Sequence, residues 1–130
     1  MSKDKIKILI IEDDSFLLTM YATKFELENF QVLVAEDGEK GLKLAQKESP
    51  ILILLDILLP KMNGFEVLKA LKADPQTKDI KVVLLTNLSQ RAEIDQGLAA
   101  GAEGYLIKAH YMPSEVVEKV KKILNQDSSD

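Results

Sequence analysis

The 130-residue chain lacks cysteine, long apolar segments and basic runs. The absence of cysteine excludes disulfides, thiolate metal sites and a thiol nucleophile, and it is compatible with a reducing compartment. Residues 1–7 are polar, and the apolar run at residues 8–11 is too short for a secretory segment or a membrane span. A net charge of −4 without a basic stripe argues against a nucleic-acid-binding face. We therefore expect a cytoplasmic protein with no membrane and no nucleic-acid partner.

The remaining composition, 46% hydrophobic and 29% charged, is typical of one globular domain. Apolar runs alternate with helical patterns five times along the chain. Strand–helix units in succession favour right-handed crossovers and a parallel sheet with helices on both faces. We predict an α/β fold: a flavodoxin-like, doubly wound sheet of five parallel strands in the order 2-1-3-4-5, with five helices.

The predicted domain covers residues 1–125, and residues 126–130 form a polar carboxyl-terminal tail. Its strands follow apolar runs at 6–11, 30–35, 51–56, 80–86 and 104–107. Its helices cover 16–28, 37–47, 63–74, about 89–100 and the segment from Pro113 onward. We expect no output domain after residue 125, so the domain is expected to stand alone.

The most informative segment is the apolar run at residues 51–55, which leads directly into Asp56. A continuous apolar run predicts a strand covered on both faces. Open α/β sheets place their sites at the carboxyl ends of such strands. Because a carboxylate there is costly unless it meets a cation or hydrogen-bond donors, we expect partners at the ends of neighbouring strands.

Four predicted strands end in polar residues, which are Glu12 with Asp13, then Asp56, Thr86 and Lys108. The carboxyl ends of parallel strands share one edge of the sheet, so these side chains should converge. Three carboxylates in one cleft repel one another, and Mg²⁺ is the usual partner of such a set. A lysine ammonium suits a phosphate, and a threonine hydroxyl can donate to a phosphoryl oxygen. Asp56 is then the natural nucleophile, since carboxylates form acyl phosphates.

These residues make the chain resemble the receiver domain of two-component response regulators over almost its full length. The resemblance is carried by four motifs in order, at receiver-like spacing. They are Ile10-Ile11-Glu12-Asp13-Asp14, Asp56-x-x-x-Pro60-x-Met62-x-Gly64, Leu85-Thr86 and Gly104-Tyr105-Leu106-Ile107-Lys108.

The resemblance implies a role for each residue of the predicted site. Asp56 would be the phosphoacceptor, and Lys108 would bind the phosphoryl group. Mg²⁺ would be held by Asp56 and Asp13 directly, by Glu12 through water and by the backbone carbonyl of Leu58.

The resemblance also implies a switch. After phosphorylation Thr86 would bond a phosphoryl oxygen and Tyr105 would turn into the vacated space, which alters the surface of the fourth helix, fifth strand and fifth helix. We expect a phospho-accepting signalling domain rather than an enzyme with a separate substrate, in a monomer or weak dimer. The phosphoryl group would come from a sensor histidine kinase or a histidine phosphotransfer protein. The output would be contact with an unknown downstream protein, or onward relay.

The chain departs from the receiver pattern at four positions near the acceptor. Ala109 stands where proline is usual, often after a cis bond, and a cis peptide there would cost about 3–4 kcal/mol. Asn87 stands where a small residue is usual. Leu58 and Leu88 would flank the phosphoryl group, and two apolar neighbours would orient an attacking water poorly. We therefore expect a long-lived phosphoryl group.

Other interpretations of the same residues stay open. An Asp-nucleophile phosphohydrolase would want a second acid two residues after Asp56, where Leu58 stands. A receiver-like binding module without phosphorylation would fit Asn87 and the residue at 109. Flavin binding would want a Ser/Thr-rich phosphate loop, which the acidic loops do not offer. We interpret Asp14 as a helix cap and the single histidine, His110, as a loop residue.

Overall fold

Strands and helices alternate through residues 5–87, 91–108 and 112–128, the parts of the chain that a computed structural model describes. The strands are β1 (Lys7–Ile11), β2 (Gln31–Ala35), β3 (Leu52–Asp56), β4 (Lys81–Thr86) and β5 (Gly104–Ile107). The helices are α1 (Ser15–Leu27), α2 (Gly38–Glu48), α3 (Gly64–Ala73), α4 (Arg91–Ala99) and α5 (Pro113–Ser128). Across these ranges no helix combines the length and the apolar character that crossing a membrane requires.

The five strands form one parallel sheet in the order β2-β1-β3-β4-β5, which confirms the predicted order. β3 lies at the centre, paired with β1 and β4, and all five of its residues are buried. The continuous apolar run therefore forms a strand covered on both faces, as its sequence predicts.

Two apolar cores lie on opposite faces of the sheet, because successive side chains of a strand point to opposite sides. One core joins the strands to α1 and α5 and includes Leu54 and Val120. The other joins them to α2 and α3 and includes Leu55 and Leu68. The sheet is thus wound on both faces.

Polar caps begin the helices that leave the carboxyl edge of the sheet. Asp14 caps α1 and accepts hydrogen bonds from the backbone N–H groups of Phe16 and Leu17 at 3.0 and 3.1 Å, which confirms its predicted role. Asp37 caps α2, and Asn63 forms a reciprocal capping box with Glu66 at the start of α3. Each cap fixes the turn between a strand end and its helix.

The observed boundaries differ from the predicted ones mainly at the carboxyl terminus. α5 continues to Ser128, three residues into the segment 126–130 predicted as a tail. Its last turn has a polar sequence, so no apolar pattern marks the helix there. The predicted start of the fourth helix, at about Ser89, lies outside the described residues. The domain limits stay predictions.

Gly64 lies where α3 passes very close to the end of β3. A Cβ atom on Gly64 would lie 2.4 Å from the Asp56 carbonyl oxygen and 2.6 Å from the Ile57 Cα. Both are backbone atoms, so the main chain itself would have to move. We expect Gly64→Ala to lower the free energy of unfolding by about 2 kcal/mol in urea denaturation.

Gly104→Ala is the matched control for this substitution. The nearest atom to a Cβ on Gly104 is the Ile123 Cδ1 at 3.9 Å, an ordinary contact distance. This variant should unfold at nearly the wild-type urea concentration. Equal losses in the two variants would contradict the steric explanation.

Candidate functional site

A cavity of about 400 Å³ lies at the carboxyl edge of the sheet. The polar ends of β1, β3 and β5 meet there, as the parallel topology predicts. Its lining residues are Glu12, Asp13, Asp14, Leu17, Asp56, Leu58, Asn87 and Lys108. Five of the predicted site residues are therefore together: Glu12, Asp13, Asp56, Leu58 and Lys108.

The alternation of side chains along the strands explains why three of these groups meet. Asp56 is the register partner of Leu85, which in turn pairs with Leu106. Leu85 and Leu106 belong to the core beneath α1 and α5, so Asp56 points toward that face. Lys108 lies two residues beyond Leu106 and continues the same face, as Glu12 does after β1. Acid and lysine side chains are thus directed to one side of the sheet edge.

Asp56 is almost enclosed, with 5% of its surface exposed. Its Oδ2 accepts a hydrogen bond from the Lys108 ammonium at 3.1 Å, and its Oδ1 accepts one from the backbone N–H of Leu58 at 3.3 Å. Burial raises the pKa of the Asp56 carboxyl above its usual value, although Lys108 opposes this change. The carboxylate is weakly solvated and faces the cavity.

Lys108 bridges Asp56 and Glu12. Its Nζ lies 2.5 Å from Glu12 Oε1, and the two side chains are 9% and 1% exposed. The second Glu12 oxygen accepts the backbone N–H of Asp14 at 3.0 Å. Burial raises the pKa of the Glu12 carboxyl. Burial alone would lower the pKa of Lys108, but the Glu12 hydrogen bond and the nearby carboxylates outweigh it and raise that pKa.

The acidic residues supply a set of donors suited to a divalent cation. Glu12, Asp13 and Asp56 each offer one carboxylate oxygen, and these three atoms lie within 4.8 Å of one another. The Lys108 ammonium contacts Glu12 and Asp56, and one positive charge cannot neutralise three carboxylates. Asp13 is exposed to solvent, so an ion could reach the cluster. Hard oxygen donors and an open position fit Mg²⁺, and the carbonyl of Leu58 stays a predicted ligand.

Magnesium should stabilise the folded protein if this cluster binds it. At a free Mg²⁺ concentration about ten times the Kd, we expect the free energy of unfolding to rise by about 1.4 kcal/mol. Asp13→Asn should abolish most of that increase, because it removes the exposed carboxylate of the set. The measurement is thermal denaturation with and without MgCl₂. An equal Mg²⁺ effect in both proteins would place the ion elsewhere.

The predicted switch residues, Thr86 and Tyr105, are not among the cavity-lining residues in the described part of the chain. Thr86 is fully buried, and Tyr105 is 37% exposed. Tyr105 pairs with Leu84, which belongs to the core beneath α2 and α3. Thr86 comes two residues after Leu84 on the same strand, so its side chain lies on the same face as that of Leu84. The two residues are thus assigned to the face opposite Asp56.

The departures from the expected pattern are only partly visible. Leu58 is 61% exposed and lines the cavity, and exposed Asn87 lines it too. Leu88, Ala109 and His110 lie outside the described residues, and the expectations for them stay predictions. Sequence reasoning missed Leu17 as a lining residue. Its place on the apolar stripe of α1, three residues after the Asp14 cap, was the available signal.

Comparisons with known proteins agree with this geometry. Residues 8–121 match the family model of the response regulator receiver domain. The chain is 38% identical over 120 residues to the DNA-binding dual master transcriptional regulator RpaA of Synechocystis sp., covering 92% of this chain and 49% of that protein. It thus spans about half the length of the curated relatives it matches.

Solved structures show the same architecture. A CheY-like response regulator receiver domain protein from Methanospirillum hungatei is similar with a TM-score of 0.85 and 31% identity, covering 96% of this chain and 98% of that one. The chemotaxis response regulator CheY4 of Vibrio cholerae is similar with a TM-score of 0.86 and 28% identity, covering 92% and 99%. The chain therefore belongs to the receiver domain family of two-component response regulators, phosphoacceptor modules that act in phosphorylation-based signalling.

Proposed function

We propose that this chain receives a phosphoryl group on Asp56 from a phospho-histidine. The observation that carries the proposal is the enclosed Asp56 carboxylate, which faces a cavity and lies 3.1 Å from the Lys108 ammonium. An Asp56 oxygen would attack phosphorus and form an acyl phosphate, and the bond from phosphorus to the donor's histidine nitrogen would break. The histidine ring keeps the electron pair of that bond.

Lys108 and Leu58 are proposed to position the reacting group. The Lys108 ammonium, already shared between Asp56 and Glu12, can move to a phosphoryl oxygen as a point charge. The backbone N–H of Leu58 orients the other Asp56 oxygen. Receiver domains in general bind Mg²⁺ at an acidic pocket, and here Asp13, Asp56, Glu12 through water and the Leu58 carbonyl would hold it. The ion would offset negative charge on the phosphoryl oxygens.

Thr86 and Tyr105 are proposed as the switch. The end of β4 is next to Asp56, whose register partner is Leu85. Rotation of the Thr86 hydroxyl toward a phosphoryl oxygen would leave space on the face that it shares with half-exposed Tyr105. Inward movement of Tyr105 would then change the surface formed by α4, β5 and α5, and phosphorylation would shift the population between two conformations.

The partners follow from this chemistry. The donor would be a sensor histidine kinase or a histidine phosphotransfer protein, and the output would be contact with a downstream protein or onward relay. A net charge of −4 supports the absence of a nucleic-acid face on this stretch of chain. We propose a monomer or weak dimer that does not turn over a separate substrate.

The test is phosphoryl uptake by the wild-type protein. The protein is incubated with Mg²⁺ and either acetyl phosphate or a phosphorylated histidine phosphotransfer domain, and its intact mass is then measured. We expect the added mass of one phosphoryl group, labile to hydroxylamine as an acyl phosphate is. If neither donor modifies the protein, a receiver-like module that signals only by binding becomes the better interpretation.

Leu58 should influence how long the phosphoryl group lasts. Its side chain is 61% exposed beside Asp56 and offers no hydrogen-bonding group to orient an attacking water. We expect Leu58→Asn to shorten the half-life of the phosphorylated protein by about tenfold. This is less than the roughly 10²–10⁴-fold typical of a positioned general base, because an amide can orient a water molecule but cannot take its proton. The measurement is loss of phosphoryl mass over time after donor removal. A Leu98→Asn variant, exposed on α4, is the control, and equal half-lives in all three proteins would contradict the role of Leu58.

A further inference from the structure

The loop between β3 and α3, residues 57–63, contains a strained turn. The Met62 N–H donates to the Pro60 carbonyl at 2.7 Å, which closes a γ-turn around Lys61. Lys61 has a φ of 69°, a conformation that is unfavourable for a residue with a side chain. A strained turn persists only where its surroundings hold it, so neighbouring groups must restrain this loop.

The amino terminus of α2 provides one such restraint. A Cβ atom on Gly38 would lie 1.9 Å from the Met62 carbonyl oxygen and 2.8 Å from its carbonyl carbon. The Gly38 N–H also points to the Pro60 carbonyl oxygen at 3.5 Å. Only a residue without a side chain allows the helix to approach the loop so closely. The helix backbone therefore lies directly against both ends of the γ-turn.

A second restraint joins the two ends of the loop, next to the end of β3. The Gly64 N–H donates to the Ile57 carbonyl at 2.8 Å. Between the two restraints lies Leu58, whose N–H donates to Asp56 Oδ1. A displacement of the γ-turn would therefore be transmitted along a short segment to the main chain of Leu58.

We propose that Gly38 is a positioning residue for the phosphoacceptor site: its contact with the γ-turn holds residues 57–63 so that the Leu58 main chain stays against Asp56. The proposal rests on the function proposed above. Gly38 itself does not line the cavity, so its influence would pass through Met62 and the loop. The contact would set both the orientation of the Asp56 carboxylate and the position of the Leu58 carbonyl, a predicted metal ligand.

Gly41 offers a matched control on the same helix. A Cβ on Gly41 would crowd the Ile11 side chain, with Cδ1 at 2.3 Å, and its three nearest atoms all belong to Ile11 and not to the loop. Both Gly→Ala changes should lower stability, but only Gly38→Ala should disturb residues 57–63. We expect Gly38→Ala to weaken Mg²⁺ binding by about tenfold, as loss of an outer support of a metal site does. Gly41→Ala should stay within about twofold of the wild type.

The experiment is an NMR titration of the full chain with MgCl₂, with amide hydrogen exchange measured in the metal-free protein. In the wild type, the Gly38 amide should shift with the same Kd as the Leu58 amide, because a change in the loop caused by the bound ion would reach Gly38 through its contact with Met62. The Gly41 amide should not shift. This arm needs no variant and decides the proposal even if Gly38→Ala does not fold.

Several outcomes would overturn the proposal. These are an unmoved Gly38 amide, equal weakening of Mg²⁺ binding by Gly38→Ala and Gly41→Ala, or wild-type affinity in Gly38→Ala. If the wild type takes up neither Mg²⁺ nor phosphoryl, the proposed function fails instead. In that case, amide hydrogen exchange in the metal-free protein tests whether Gly38 positions the loop. Faster exchange of the Leu58 amide in Gly38→Ala alone would support it, and unchanged exchange would refute it.

Discussion

Asp56→Asn is expected to abolish phosphoryl uptake from both acetyl phosphate and a phospho-histidine donor. The amide oxygen of asparagine carries no negative charge and forms no acyl phosphate. The shape of the side chain is nearly unchanged, so the fold should survive. Intact-mass measurement after incubation with Mg²⁺ and each donor gives the result directly. Of the described carboxylates, Asp56 alone combines the central strand, near-complete burial and the Lys108 contact.

Asp79→Asn is the control for this change. Asp79 is exposed and precedes β4, at the opposite edge of the sheet from the cavity. The substitution is chemically the same as Asp56→Asn but lies where no phosphoryl transfer is expected. The Asp79→Asn variant should therefore be phosphorylated as fully as the wild type. Phosphoryl uptake by Asp56→Asn, or its loss in Asp79→Asn, would disprove the assignment of the acceptor.

Lys108→Met is expected to lower the free energy of unfolding by about 3 kcal/mol at neutral pH, in protein without Mg²⁺. The substitution keeps an unbranched apolar stem but removes the ammonium from two buried carboxylates. Glu12 is 1% exposed and Asp56 is 5% exposed, so neither can recover full hydration. The measurement is urea denaturation followed by circular dichroism.

Two further variants test the cause of this loss. Glu12→Gln combined with Lys108→Met should recover part of the stability, because it removes the carboxylate nearest to the missing cation. Lys121→Met breaks the Lys121–Glu28 ion pair, which joins α5 to the end of α1 in solvent, and it should leave stability almost unchanged. If Lys108→Met lost no more stability than Lys121→Met, the buried ion pair would not hold the site together.

Much of the site could be predicted because it follows from topology. Five strand–helix repeats predict a parallel sheet, and a parallel sheet brings Glu12, Asp56 and Lys108 to one edge whatever their separation in sequence. Local capping was equally visible, since Asp14 directly precedes a helical pattern. These features depend only on periodicity and on the position of polar residues after apolar runs.

Other features depend on distances that no pattern contains. The Lys108 ammonium lies closer to Glu12 than to Asp56, at 2.5 Å against 3.1 Å. The contact of Gly38 with Met62 depends on where α2 lies in space. The last turn of α5 was missed because its sequence is polar and has no apolar pattern that would mark a helix. Thr86 and Asp56 point to opposite faces of the sheet because of the register between β3 and β4. The sequence alone does not give that register.

The position of β3 has a consequence for how the domain responds to a covalent change. This strand is hydrogen-bonded to a neighbouring strand on each side, and helices cover both of its faces. Its backbone has no free direction in which to yield, and its amide protons should be among the slowest in the protein to exchange with solvent. New bulk and charge on Asp56 must then be accommodated by the segments around it. The least movable strand of the sheet thus carries the acceptor, and the adjoining loops and helices carry the response.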